Sequence, residues 1–272
     1  MLPRDVWHYN NGMPKALVVG HDSELGNIAN EHLRNRGWHV VGTTRRRTHS
    51  TAEGLFYCEL SNRESVASAC SEVLADRVGI DLVILSVGQL SPIGSFPQID
   101  FETWVSSVEV NFLNQVFLIQ ELLKNLISLE YFGTKFLTFA GSGTNSAPIN
   151  FSAYTLSKVA LIKATELLAA EYANYYFLSL GTGWMKSAIH DQTIAAGPRA
   201  GAAYFETIRR LKEGDFGNPE LFREFLDWYI SASDIRVSGR NLALQGDNWK
   251  DADFLSKLTT SPSAFKLRRV TE

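Results

Sequence analysis

Lys15-Ala16-Leu17-Val18-Val19-Gly20-His21-Asp22-Ser23-Glu24-Leu25-Gly26 is the stretch whose reading decides the fold. Its opening five residues are a short apolar run closed by a glycine, which predicts a buried parallel strand. A loop bounded by Gly20 and Gly26 follows, and residues Asn27 to Asn35 carry helical periodicity. Strand, glycine loop and helix in that order aim backbone N–H groups and a helix N-terminus at a pyrophosphate. Gly20, Ser23, Leu25 and Gly26 are the candidate cofactor contacts in this loop.

The pattern repeats along the chain. Trp38-His39-Val40-Val41-Gly42-Thr43 predicts a second strand, and Thr44-Arg45-Arg46-Arg47 follows it. In dinucleotide folds an acid near this point holds the adenosine ribose hydroxyls, whereas an arginine accommodates a 2′-phosphate. The strand end carries no acid, and Arg45 follows directly, so NADP(H) is expected over NAD(H). Leu55–Cys58 predicts a third strand with a helix from Asn62 to Ala75, and Asp81–Leu85 a fourth, closed by Ser86-Val87-Gly88. One long helical pattern runs from Asp100 to Leu126, then an apolar run at Phe136–Ala140, a helix beginning near Tyr154, and a strand at Tyr175–Leu180. Strands alternating with helices predict an α/β fold, a doubly wound parallel sheet of Rossmann type with helices on both faces, in a single domain.

Bulk composition narrows the function. The chain has 272 residues, 45% apolar and 20% charged, as an ordinary globular domain does. A net charge of −3 gives no footprint for nucleic acid or an anionic membrane surface. Two cysteines, Cys58 and Cys70, make no disulfide framework, and six scattered histidines make no zinc spacing, so no metal is expected. The N-terminus shows no signal-type apolar core and no run reaches membrane-spanning length, which predicts a cytoplasmic protein. Residues 1–14 are expected to form a loose arm, 15–245 the domain with substrate-side helices at 188–235, and 246–272 a C-terminal tail.

The chemistry is carried by Ser152-Ala153-Tyr154-Thr155-Leu156-Ser157-Lys158. Tyr154 and Lys158 lie one helical turn apart on one face, where a fixed ammonium is expected to draw the phenol's pKa down toward the working range. Gly141-Ser142-Gly143 stands at the end of the preceding strand, twelve residues before the tyrosine. With that serine upstream and Ser157 beside the lysine, the chain resembles the short-chain dehydrogenase/reductase family, over roughly residues 15–245. The resemblance implies Tyr154 as acid/base, Lys158 as its tuner and a cofactor-ribose contact, and Ser142 as positioner of the substrate oxygen. It implies Asn111 at a helix kink holding a water behind the lysine.

For the cofactor, the resemblance points to Glu59 and Leu60 near adenine, Gly88 near the ribose, and Gly183 and Ser187 near the nicotinamide amide. The chain departs from the family's pattern in three places. Glu24 replaces the middle glycine of the loop, Leu85-Ser86-Val87-Gly88 stands for Asn-Asn-Ala-Gly, and Thr182 replaces a proline. The reaction implied is reversible hydride transfer between a nicotinamide and a small-molecule carbonyl/alcohol carbon, in a homodimer or homotetramer. Two other readings stand beside it: a reductase of a keto group on a nucleotide-linked sugar, and a cofactor-poor relative working by binding or assembly. The aromatic tail is expected to pack across the pocket or on a neighbouring subunit.

Overall fold

The computed structural model describes residues 13–46, 54–141, 143–231 and 235–269. Among them, seven strands form one parallel sheet in the order β3-β2-β1-β4-β5-β6-β7. The strands are β1 (Lys15–Val19), β2 (His39–Thr44), β3 (Leu55–Tyr57), β4 (Leu82–Leu85), β5 (Lys135–Ala140), β6 (Tyr176–Gly181) and β7 (Arg240–Ala243). The order turns back between β1 and β4, and a crevice opens at the carboxyl ends of strands flanking such a switch point. The predicted doubly wound sheet is what the chain forms.

Alternation along the strands builds two cores. Ala16 and Val18 of β1, Leu82 and Ile84 of β4, Leu137 and Phe139 of β5, and Leu178 and Leu180 of β6 face one layer. There they meet α1 (Glu24–Asn35) through Ile28, Ala29 and Leu33, and α8 (Pro219–Ser231) through Phe222, Phe225 and Tyr229. The intervening residues Leu17, Val19, Val83, Leu85, Phe136 and Phe177 face the opposite layer. That layer is covered by α2 (Arg63–Val73), α4 (Asn114–Ser128) and the far end of α5 (Ser152–Glu171). Burial on both faces is why these strands read as unbroken apolar runs.

The single helix expected from Asp100 to Leu126 is in fact interrupted. An α-helix, α3 (Phe101–Val108), passes through a π-turn at Glu109–Leu113 before continuing as α4. The widened turn leaves main-chain carbonyls without regular partners, and Gln115 Nε2 donates to those of Val110 (3.3 Å) and Asn111 (3.0 Å). On the substrate side, α6 (Ala188–Ala196) and α7 (Ala202–Glu213) are joined by a 3₁₀ turn at Gly197–Ala200.

The C-terminal segment stays on its own domain rather than crossing the pocket. Trp249, Phe254 and Leu258 of the tail and α9 (Phe254–Thr260) are buried against Phe225 and Trp228 of α8. Arg240 of β7 ties the segment down, its guanidinium donating to the carbonyls of Leu258 (3.1 Å) and Ala264.

Candidate active site

The glycine loop is built from close backbone approaches. Gly20 takes φ = +78°, and a Cβ there would stand 2.6 Å from Val87 Cγ1 and 2.9 Å from the Ser86 carbonyl oxygen. A Cβ on Gly26 would meet the Gly20 carbonyl at 2.3 Å, so neither position admits a side chain. Ser23 caps α1, its Oγ accepting from Gly26 N–H at 3.0 Å, and it also donates to Ser86 Oγ at 3.0 Å. Ser86, standing where the family pattern has an asparagine, in turn donates to the Val19 carbonyl at 2.9 Å. Glu24 is exposed in the first turn of α1, so its side chain does not fill the loop. A tight turn at the N-terminus of a helix of 12 residues fits a dinucleotide diphosphate.

Where β2 ends, Arg45 is exposed, and no interaction engages it among the described residues. Arg47 lies outside the described residues. A feature that sequence order concealed is Asp22, which reaches this strand end from the glycine loop. Its Oδ2 accepts from Thr44 Oγ1 at 2.5 Å and lies 3.8 Å from Arg46 Nε. Leu60 is buried in the core, and its carbonyl accepts from Asn114 Nδ2 at 2.6 Å. Glu59 remains at the mouth of the β3–α2 turn, where its carboxylate accepts from Ser61 N–H at 3.3 Å.

Tyr154 and Lys158 are brought together at the carboxyl ends of β4 and β5. Both are buried, at 7% and 2% exposure, and the Lys158 ammonium stands 5.8 Å from the centroid of the Tyr154 ring. The ring closely approaches the backbone just after β5: a Cβ on Gly141 would sit 2.6 Å from Tyr154 Cε1 and 2.8 Å from its hydroxyl oxygen. Ser142, next in sequence, lies outside the described residues. Lys158 Nζ donates to the Val87 carbonyl at 3.5 Å, and a Cβ on Gly88 would come within 3.7 Å of it. The expected lowering of the phenol's pKa is not found. Burial pushes Tyr154 up to about 12 and Lys158 down to about 8, because desolvation disfavours the charged form of each.

Asn111 sits in the π-turn, fully buried, and closes on the loop after β4. Its Nδ2 donates to the Gln89 carbonyl (2.8 Å) and Ser107 Oγ (3.1 Å), and its Oδ1 accepts from Gln89 N–H (2.9 Å). It comes close to Gly88 as well, whose Cβ would stand 3.3 Å from Oδ1. Gln115, which sequence reasoning missed, donates to the Val87 carbonyl at 3.3 Å and so steadies the same loop. A glutamine inside an apolar helical stretch was the available signal.

On the β6 side, Gly183 takes φ = +70°, with Gln245 Oε1 3.1 Å from where its Cβ would be. Ser187 precedes α6 at its N-cap position without capping it. The helices beyond are held over the site. Ile189, Leu90, Ala200 and Tyr204 share one apolar cluster with Tyr154. Gln192 Oε1 accepts from the N–H groups of Leu90 (2.9 Å) and Ser91 (3.1 Å), tying α6 to the loop after β4. The Trp184 ring stacks on His190 at 3.8 Å and lies 5.0 Å from the Arg210 guanidinium, which fastens α7 to the β6 loop. An open cleft of about 420 Å³ lies between the loop after β4 and α6, sharing Ile93 and Ala196 with the cluster around Tyr154. Among the described residues no group of His, Cys, Asp and Glu side chains is placed to hold a metal, and no helix is long and apolar enough to cross a membrane.

A glycine turn after β1 and a buried Tyr–Lys pair at the carboxyl edge together define a class, the nicotinamide-dependent oxidoreductases. The profile of the short chain dehydrogenase family matches residues 14–195, and the chain belongs to that family, as an oxidoreductase interconverting carbonyl and alcohol. It is 20% identical over 239 residues to an NAD-dependent glycerol dehydrogenase of Listeria innocua, a match covering 85% of this chain and 92% of that one. An NAD⁺-bound xylitol dehydrogenase superposes with a TM-score of 0.73 at 17% identity, over 86% of this chain and 98% of the other. An actinorhodin polyketide ketoreductase with NADPH gives 0.72 at 17% identity, over 85% and 95%. Both cofactors therefore occur among its relatives.

Proposed function

We propose that the protein is an NADP(H)-preferring reductase/dehydrogenase interconverting a small-molecule ketone and its secondary alcohol, with Tyr154 as acid/base. The observation that carries this reading is the burial of Tyr154 and Lys158 side by side between Gly141 and Gly88. A nicotinamide, when bound, supplies the hydride to the carbonyl carbon or takes it from the alcohol carbon. The phenol, held up to about 12 by burial, is protonated at neutral pH and donates its proton to the substrate oxygen in reduction. Lys158 then faces the phenolate, and Asn111 and Gln115 fix the loop that carries Gly88 against it. Ser142, following Gly141, is assigned to the substrate oxygen on its sequence position.

Gly20, Ser23, Leu25 and Gly26 are assigned to the diphosphate, Glu59 and Leu60 to the adenine side, and Gly88, Gly183 and Ser187 to the nicotinamide side. The NADP(H) preference rests on Arg45, exposed and unengaged among the described residues directly beyond β2. The relatives act on substrates as different as glycerol, xylitol and a polyketide, which supports a carbonyl/alcohol class and no finer one. Leucines exposed along α5 support a homo-oligomer. Tyr154→Phe is expected to remove turnover while NADPH still binds, measured by tryptophan-fluorescence titration. Substantial surviving turnover would assign the proton to another group. An Arg45→Ala variant with an unchanged cofactor preference would sink the NADP(H) assignment.

A further inference from the structure

Two opposite charges stand at the end of β2, brought there by different segments. Arg45 follows the strand in sequence, but the carboxylate held at that strand end by Thr44 belongs to Asp22, three residues after β1 ends. Asp22 is not a loosely placed surface acid. Thr44, whose hydroxyl donates to Asp22 Oδ2 at 2.5 Å, is buried, and the same hydroxyl accepts from Arg46 N–H at 3.1 Å. With one donor and one acceptor already engaged, the hydroxyl has a single orientation, and it points its proton at the carboxylate. Arg46 adds its guanidinium at 3.8 Å, with His21 Nδ1 at 3.7 Å from the other oxygen. Burial works to raise this carboxyl's pKa, but the Thr44 hydroxyl and the Arg46 charge outweigh it and hold the group below its ordinary value. Asp22 is therefore a fixed anion at neutral pH.

We propose that Asp22 sets how far the enzyme discriminates between its two dinucleotides, supplying from the glycine loop the carboxylate that β2 lacks. This rests on the dinucleotide reading above. A carboxylate at the end of the second strand accepts from a ribose hydroxyl and repels a phosphate attached there. Asp22 also draws Arg46 to 3.8 Å, whereas no interaction engages Arg45 among the described residues, so Arg45 is placed to meet a 2′-phosphate. Arg45 and Asp22 thus pull in opposite directions, and the preference for NADP(H) is smaller than the arginine run in the sequence would give. Charges about 4 Å apart near a protein surface interact strongly enough that removing one shifts binding by a factor of ten or more.

The test is a pair of binding titrations, NADPH and NADH, on wild-type protein, Asp22→Asn and Asp22→Ala, followed by tryptophan fluorescence at low and at raised salt. For Asp22→Asn the expected result is an NADPH Kd lowered about tenfold or more and an NADH Kd raised. The gain for NADPH should shrink as salt screens the phosphate. Asp22→Ala, read in the same way, should move the ratio in the same direction. Two Kd values that stay put, or that move together, would overturn the proposal while leaving the dinucleotide reading intact. Failure of both dinucleotides to bind wild-type protein would overturn both.

Discussion

At the scale of single residues, the site depends on how closely Tyr154 is pressed against a backbone. Its ring lies where a Cβ on Gly141 would be, and the ring is buried, so it has nowhere cheap to go. Gly141→Ala is therefore expected to push the hydroxyl aside by a fraction of an ångström to an ångström. A displacement of that size costs on the order of 100-fold in kcat. Unchanged turnover in a variant of wild-type melting temperature would show that the ring is not held as described. Lys158 invites a second experiment. Its ammonium is buried with one carbonyl contact at 3.5 Å, and burial holds its pKa down to about 8. Lys158→Met should then raise stability by ~1–3 kcal/mol while turnover is lost. The sign of the pH effect follows from the same shift. Between about 8 and the ordinary lysine value the unfolded chain keeps a proton the folded one has released. Wild-type stability should therefore rise with pH across that window, relative to Lys158→Met, when chemical denaturation is compared at each pH. These two side chains were legible in the sequence from their spacing. The direction of the tyrosine's pKa was not, because spacing fixes which face two groups share but not how much water either one loses.

Among the elements, the π-turn at Glu109–Leu113 was legible only through the resemblance, which implied a kink at Asn111, and not from the apolar period. An extra residue in a helical turn shifts the apolar period too little to show over a few residues, so the chain read as one helix from Asp100 to Leu126. The turn matters because it seats Asn111 on Gln89, exchanging one hydrogen bond each way with that residue's backbone at 2.8 and 2.9 Å. Asn111→Leu would leave both backbone groups without their partner in a closed site. The expected cost is ~2–6 kcal/mol, from a penalty of ~1–3 kcal/mol for each such group. Urea denaturation measures it, and a loss below ~1 kcal/mol would mean that the loop after β4 finds other partners. The tail was misplaced in the sequence reading for a related reason. Its aromatics announce that it packs, yet their spacing cannot say against what, and Trp249 and Phe254 find Phe225 and Trp228 on α8. Glu166 of α5 fixes the end of that segment through Arg268, at 2.9 Å for one of its two bonds.

Over the whole molecule, the strands and their parallel sheet follow from apolar runs buried on both faces, and that much is plain in the sequence. What it conceals is which distant residues share an edge: Asp22 with Thr44, Gln192 with Leu90, Gln245 with Gly183. The same sheet leaves α5 with one face on β5 and β6 and another turned outward, where Leu156 and Leu167 are 51% and 54% exposed. They are eleven residues apart, three helical turns, so they stand on one line along the helix. Ala160 and Ala164 lie between them, small enough for another helix to approach closely. Leu113, 40% exposed beside this face in the π-turn, extends the apolar surface. Burial of this surface against a second copy would remove it from water in a self-complementary, two-fold interface. The expectation is a dimer or tetramer by analytical ultracentrifugation at micromolar concentration, and a monomer for Leu156→Glu combined with Leu167→Glu. Both substitutions replace exposed side chains, so the variant should keep the fold, with its circular dichroism unchanged. A wild-type protein sedimenting as a monomer, or a variant keeping the oligomer's mass, would place the interface elsewhere or remove it.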